Sequence, residues 1–244
     1  MQAEPTRERN VNEHTSKQFD AEMEAIRSGV LAMGGLVETQ LRRAVEALRI
    51  AGDVDVVALV ASDEQAINKM QMDIDQQCSQ IIAKRQPAAI DLRMILTVVK
   101  IVNELERSGD EIKKIAYKAQ QMQRPERLTS VRLHDITHAA GLAEENLRLA
   151  LDAFARLDVK AAAQVISNDE AIDAAFLANL RQLISYMMED PRTISPALEI
   201  VFIAKSIERI GDHAKNIAED VVHVVKGKDV RHATAEQIRA EVAE

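Results

Sequence analysis

The sequence predicts an all-α protein of two tandem three-helix bundles, six long helices related by an internal repeat. Three observations predict it. Glycine (8) and proline (5) are scarce in 244 residues, aromatics make up 2%, tryptophan is absent, and Ala, Glu, Leu and Arg abound without strand alternation. Apolar residues recur at helical spacing through six long stretches. The pattern restarts at mid-chain. Shifted by 102 positions, the window 96–119 matches 198–221 at ten places, including Glu106/Glu208, Arg107/Arg209, Gly109/Gly211, Asp110/Asp212 and Lys113/Lys215.

Residues 1–15 read as a flexible polar leader. From Gln18 to about Ile50 the apolar positions Phe19, Met23, Ile26, Val30, Met33, Val37, Leu41, Ala44 and Leu48 mark one amphipathic helix. Gly34-Gly35 in its middle costs about 1 kcal/mol per glycine, which the close approach of a neighbouring helix would justify. Gly52-Asp53 breaks it, and a second helix runs from Val54 to Arg85, ended by Pro87. Asp91 is the expected N-cap of the third, which fades before Pro125. Residues 16–122 form the first repeat and 123–127 a linker. The second repeat, 128–227, holds helices at about Leu128–Arg156, Val159–Glu189 and Ser195–Val225. Ser195-Pro196 reads as N-cap and N1, and Gly227 as the stop. Residues 228–244 form a tail in which Thr234 with Gln237 resembles a capping box for a short helix. The repeat extends to the other helices. Gly35, Leu36, Glu38, Leu41, Arg42, Ala44 and Ala47 match the residues 106 positions on, and Ser62, Ala66 and Ile67 those 105 on. Both offset changes fall between helices, where insertions are tolerated.

Net charge is −8 and pI about 5.4. That argues against a broad phosphate-binding surface, so no nucleic-acid partner is expected. The single cysteine, Cys78, forms no intrachain disulfide and fits a reducing cytoplasm. The first fifteen residues lack the apolar stretch of a secretion signal, and no run approaches the ~18 apolar residues of a membrane span.

The repeated element is Glu-Arg-x-Gly-Asp. Glu106 and Asp110 are four apart, so they stack on one helix face, as do Glu208 and Asp212. Two such carboxylates repel unless a cation or an arginine lies between them. Carboxylate clusters suit iron, manganese, magnesium or calcium, and zinc in mixed sites. Gly109 and Gly211 imply close packing against another helix. The bland alternative is a solvated face with local ion pairs, such as Asp110 with Lys113 or Lys114. Duplication copies structure as well as chemistry, so the repeat alone leaves both readings open.

The two motifs resemble the paired signature of the PhoU family of phosphate-signalling regulators: Glu106 to Asp110, and Glu208-Arg209-Ile210-Gly211-Asp212-His213-Ala214-Lys215-Asn216-Ile217-Ala218-Glu219. So do Ile82 to Pro87, Asp91-Leu92-Arg93, and Tyr186 to Ile194. The resemblance covers about residues 15–232. It implies two three-helix bundles and a non-enzymatic repressor of the phosphate-starvation response. The expected partners are the ATPase subunit of a Pst-type phosphate transporter and a PhoR-type sensor histidine kinase. It further implies that Glu106, Asp110, Glu208 and Asp212 are metal ligands, for iron, manganese or zinc, on the bundle surface. The chain departs from the family at Ser108, where isoleucine is usual. It also carries Glu111 where the second copy has His213, so the two sites are expected to differ in affinity. A homodimer, a cytoplasmic location and no organic cofactor complete the expectation.

Other constellations fare worse. His134-Asp135-Ile136-Thr137-His138 places two histidines at i,i+4, one step from a zinc-protease motif. The base position is Asp, and no third ligand is announced. A carboxylate-bridged di-metal enzyme needs Glu-x-x-His pairs aimed into a bundle core. Neither Glu106 nor Glu208 is followed by histidine at i+3. His213 follows Asp212 but points about 100° away on the helix. A metal-free helical adaptor remains as the alternative, separable by metal content.

Overall fold

Helix-forming sequence, interrupted only where glycine, proline or an aspartate cap intervenes, sets the architecture. The computed structural model describes residues 6–50, 53–121, 130–231, 233, 237 and 241. It contains α1 (Thr6–Arg49), α2 (Val54–Arg85), α3 (Ala89–Gln121), α4 (Ser130–Arg156), α5 (Val159–Glu189) and α6 (Ile194–Lys226), with a 3₁₀ turn, Pro191–Thr193, before α6. The expected linker at 123–127 and the capping residue Thr234 lie outside the described residues.

Local chemistry places the ends. Asp53 caps α2 by accepting from the backbone N–H groups of Asp55 and Val56, and Asp158 caps α5 through Lys160 and Ala161. Gln86 closes α2 in the left-handed region (φ 49°) just before Pro87. Gly227 closes α6 at φ 73°. A side chain there would meet Arg93 Nη1 at 2.7 Å.

Three boundaries differ from expectation. Residues 6–15, read as a polar leader, continue α1. They hold no glycine or proline, so propensity carries the helix beyond the point where the apolar period stops. Asp91 is not a cap but lies in the first turn of α3, where its charge favours the helix dipole. Asp190, not Ser195, accepts from Arg192 N to start the turn before α6. Pro196 is the third residue of α6, still in the first turn where its missing N–H has no acceptor to lose.

Within each unit all three helices pack on one another, and the units join through α3 on α6 and α1 on α4. One continuous core results, built from Ile, Val, Leu, Ala and Met, with Phe154 its largest side chain. Gly34 serves the α1–α4 contact, because a Cβ there would stand 2.5 Å from Leu151 Cδ1 of α4. Gly35 faces open space, so close approach accounts for only the first glycine of the pair.

α3 and α6 run antiparallel. Lys100 pairs with Asp220, Glu104 with His213, Glu111 with Arg209, and Lys118 with Glu199. The repeat equates position 104 with 206 and 111 with 213. The contact of His213 with Glu104 is therefore the pseudo-twofold image of the contact of Ser206 with Glu111 (2.9 Å).

Candidate functional site

The heptad-like spacing of α3 and α6 turns one stripe of each helix to its own bundle and another to the partner unit. Gly109 and Gly211 face inward. A Cβ on Gly109 would lie 3.4 Å from Ile67 of α2, and one on Gly211 would lie 2.9 Å from Ile172 of α5. The glycines thus do admit a neighbouring helix, and α2 and α5 bring acidic side chains with them.

In the second unit Glu208 and Asp212 of α6 are met by Asp169 and Asp173 of α5. Burial raises the Asp212 pKa, and the carboxylates of Glu208, Asp169 and Asp173 raise it further against the opposing charge of Lys205. Asp173 is raised in the same way, first by burial and then by Asp169 and Glu208. Lys215 Nζ donates to Asp169 Oδ2 at 2.8 Å, and Lys205 Nζ to Glu208 Oε1 at 2.5 Å. In the first unit Glu106 and Asp110 of α3 are joined by Glu64 of α2. The Glu106 pKa is raised by burial, then by Asp110 and Glu64. Glu64 accepts from Lys113 at 2.9 Å and from Asn68 at 3.0 Å.

The four acids named from sequence therefore fall in two carboxylate clusters, one per bundle. Asp110 and Asp212 both open onto a single cleft of about 670 Å³ between α3 and α6, which Arg107, Lys114, Arg209 and Arg231 also line. Glu64, Asp169 and Asp173 were not singled out from sequence. The repeat pointed at them, since 64/169 and 68/173 share the offset of the Ser62/Ser167 and Ile67/Ile172 matches. Glu64 against Asp169, and Asn68 against Asp173, escape a comparison that counts identities.

Glu111 and His213, expected to differentiate the two sites, face each other's unit instead. Burial opposes ionisation of Glu111, but hydrogen bonds from Lys114, Arg209 and Ser206 outweigh it and lower its pKa. Burial likewise opposes ionisation of Glu104, and donors His213 and Asn216 lower its pKa overall. His134 and His138 are exposed on α4.

By donor chemistry alone the set is of the kind hard cations accept. Oxygen donors predominate, the carboxylates repel one another, and Asp169 Oδ1 and Glu208 Oε2 are buried without a hydrogen-bond partner. Among the described residues, no three His, Cys, Asp or Glu side chains converge to hold an ion.

The duplication is also visible against known proteins. The PhoU domain family matches residues 30–119 and again 136–221. The chain belongs to the PhoU family. The phosphate-specific transport system accessory protein PhoU homolog of Pseudomonas putida is 45% identical over 237 residues, 96% of this chain and 90% of that protein. The PhoU accessory protein of Escherichia coli K12 is 41% identical, covering 94% of each. The crystal structure of PhoU from Pseudomonas aeruginosa superposes with a TM-score of 0.80 at 44% identity, over 86% of this chain and all of that one. PhoU from Streptococcus pneumoniae, described as a phosphate transport system regulatory protein, gives 0.79 at 27% identity over 87% and 99%. The two PhoU domains coincide with the two bundles, and each contains one carboxylate cluster. No described helix is long and apolar enough to cross a membrane.

Proposed function

We propose that this chain is a non-enzymatic accessory regulator of a phosphate-specific transport system that represses the phosphate-starvation response. The observation that carries the reading is the match over nearly the whole chain, both bundles included, to proteins named as accessory proteins of a phosphate-specific transport system. It acts in the cytoplasm by protein–protein contact, between the ATPase subunit of a Pst-type transporter and a PhoR-type sensor histidine kinase, and as a homodimer. Such a switch requires different affinities for the two states of a partner. Side chains such as Ile184, Met188, Leu198 and Phe202 are exposed on α5 and α6 and supply apolar contact area.

The carboxylate sites hold hard cations, iron or manganese, with zinc as the softer candidate. Glu106, Asp110 and Glu64 would hold the ion of the first unit, and Glu208, Asp212, Asp169 and Asp173 that of the second. A bound cation neutralises the crowded carboxylates and ties the second helix of each bundle to the third. A metal-free adaptor is the second reading. It is favoured by Lys113, Lys205 and Lys215, which already neutralise part of each cluster.

Deletion of the gene should derepress phosphate-responsive genes in phosphate-rich medium, and the intact chain supplied in trans should restore repression. Unchanged repression after a clean deletion would refute the regulator reading. Elemental analysis of the purified protein beside a variant with Glu106, Asp110, Glu208 and Asp212 changed to alanine decides the metal. Stoichiometric metal lost in a still-helical variant supports the cation. None in either, after reconstitution, leaves the adaptor.

A further inference from the structure

The two repeats share a fold and an interior but not an outer face. In the second unit the surface of the α5–α6 hairpin is apolar. Leu177, Ile184 and Met188 of α5 are 46%, 45% and 81% exposed, and Ile194, Leu198 and Phe202 of α6 are 42%, 43% and 51% exposed. From Ala174 to Met188 the exposed positions of α5 carry one charge, Arg181, and those of α6 from Ile194 to Phe202 carry none. The two stripes lie side by side. The short turn Pro191–Thr193 folds α6 back on α5, and Lys205 of α6 stands 5.3 Å over the ring of Phe176 of α5. Together the six side chains leave on the order of 500 Å² of apolar surface, at the upper end of what a monomer ordinarily shows.

The first unit shows that the fold does not require this face. At the equivalent positions its α2–α3 hairpin has Lys69 for Ala174, Asp73 for Ala178, Ser79 for Ile184 and Lys100 for Phe202. Gln71 and Asn103, in the places of Phe176 and Lys205, share a hydrogen bond of 2.8 Å. Lys100 is engaged by Asp220 of the other unit at 3.0 Å. A three-helix bundle of this design therefore closes with a polar outer face. The apolar face of the second unit is wetted for no gain in packing, and burial against a partner recovers that cost.

We infer that the α5–α6 face docks an amphipathic helix of a partner protein, one with an apolar stripe and a carboxylate near the middle of it. The inference deepens the protein-contact reading above and rests on it. From Leu177 to Met188 the α5 stripe runs about 16 Å, three helical turns. That suits anchors at i, i+4, i+7 and i+11 laid along two neighbouring helices. Arg181 lies mid-stripe between Leu177 and Ile184, exposed, and no carboxylate among the described residues pairs with it. A carboxylate on the incoming helix answers that charge. A second copy of this chain does not. A twofold axis through the middle of the stripe would bring Arg181 against its own counterpart in apolar surroundings, like charge on like. The homodimer contact therefore falls on another surface.

Fluorescence anisotropy of the full chain with labelled synthetic helical peptides of about 15 residues tests this. One peptide carries leucine at i, i+4, i+7 and i+11 with glutamate in the middle of the stripe, and a second carries lysine in place of the glutamate. The parent should bind the glutamate peptide about 5-fold or more tighter than the lysine peptide, and Arg181→Glu should reverse that order. Ile184→Ser with Phe202→Lys, which installs the first unit's residues, should weaken the glutamate peptide about 10-fold or more at an unchanged urea midpoint. If the double variant fails to fold, the charge reversal at exposed Arg181 still decides. No binding by the parent, or binding that ignores both changes, overturns the inference. So does a parent dimer that the double variant makes monomeric in sedimentation velocity, which would give the face to a second copy. Vesicles of phosphatidylethanolamine and phosphatidylglycerol that bind the parent and not the double variant would give it to a membrane and overturn it equally. The assay reads binding alone. A deletion strain that stays repressed refutes the regulator role and leaves the peptide result standing, and a chain that binds no peptide refutes this inference and leaves that role standing.

Discussion

Two adjacent glycines in one helix offer a direct test of how the repeats are joined. Gly34 and Gly35 lie mid-helix in α1, so replacing either by alanine recovers about 1 kcal/mol of helix propensity. Gly35 meets nothing within 4 Å, and Gly35→Ala should stabilise by that amount, raising Tm by about 2–4 °C for a chain of this size. At Gly34 the new methyl would stand 2.5 Å from Leu151 Cδ1, 2.7 Å from Cδ2 and 3.2 Å from Cγ. Rotating Leu151 exchanges one clash for the other, and the residue is buried on α4. Overpacking of this kind costs about 1–3 kcal/mol. Gly34→Ala should therefore lie about 1–3 kcal/mol below Gly35→Ala, a difference from which propensity cancels. Urea unfolding of both variants with unchanged slope is the assay. Equal midpoints would refute the reasoning, because they would mean that α1 does not meet α4 through Gly34.

Three further outcomes are expected. The Glu219 pKa is raised to about 7, by burial first and by Asp220, against Lys215 and Arg231. With the folded value above the unfolded one, ionisation opposes folding. Stability contributed here falls as pH rises from about 4.5 to 7, and Glu219→Gln should stabilise by up to about 3 kcal/mol at pH 8 and not at pH 4 in urea unfolding. His213→Ala removes a donor to the half-buried carboxylate of Glu104 and should cost about 1.5–3 kcal/mol; Glu104→Gln on top of it should add less than it does alone. Burial raises the Cys78 thiol to about 11, so it should resist a disulfide reagent at pH 8 in the native protein and react on unfolding.

Helix number, order and most ends were readable because they depend on neighbours in sequence. Apolar period, Asp53 and Asp158 as capping acids and Gly227 as a left-handed stop all act within a turn or two. Of the boundaries that shifted, those at Thr6 and Asp91 are set by propensity and not by a specific cap, whereas the start of α6 at Pro196 moved because Asp190 caps the turn ahead of it. Half of each carboxylate site was readable as well, because Glu106/Asp110 and Glu208/Asp212 are identical copies. The other half sits on different helices, α2 and α5, and its side chains changed length or charge between copies while keeping position. The facing of Glu104 to His213 was unreadable for another reason. It depends on how α3 is rotated against α6, which the packing of whole bundles determines.

The antiparallel crossing of α3 and α6 has an implication for the origin of the chain. Were a single bundle to pair with a copy of itself across this axis, positions 104 and 111 would be occupied identically in both partners, and each would meet its counterpart in the other. A glutamate at both positions would set acid against acid twice over. Joined in one polypeptide, the halves are free to drift apart, and they have: glutamate stands opposite histidine at one contact and serine opposite glutamate at the other. The sides of this seam are therefore no longer interchangeable. A separately expressed first half would have to face its own Glu104 and Glu111, and should associate with the second half in preference to itself.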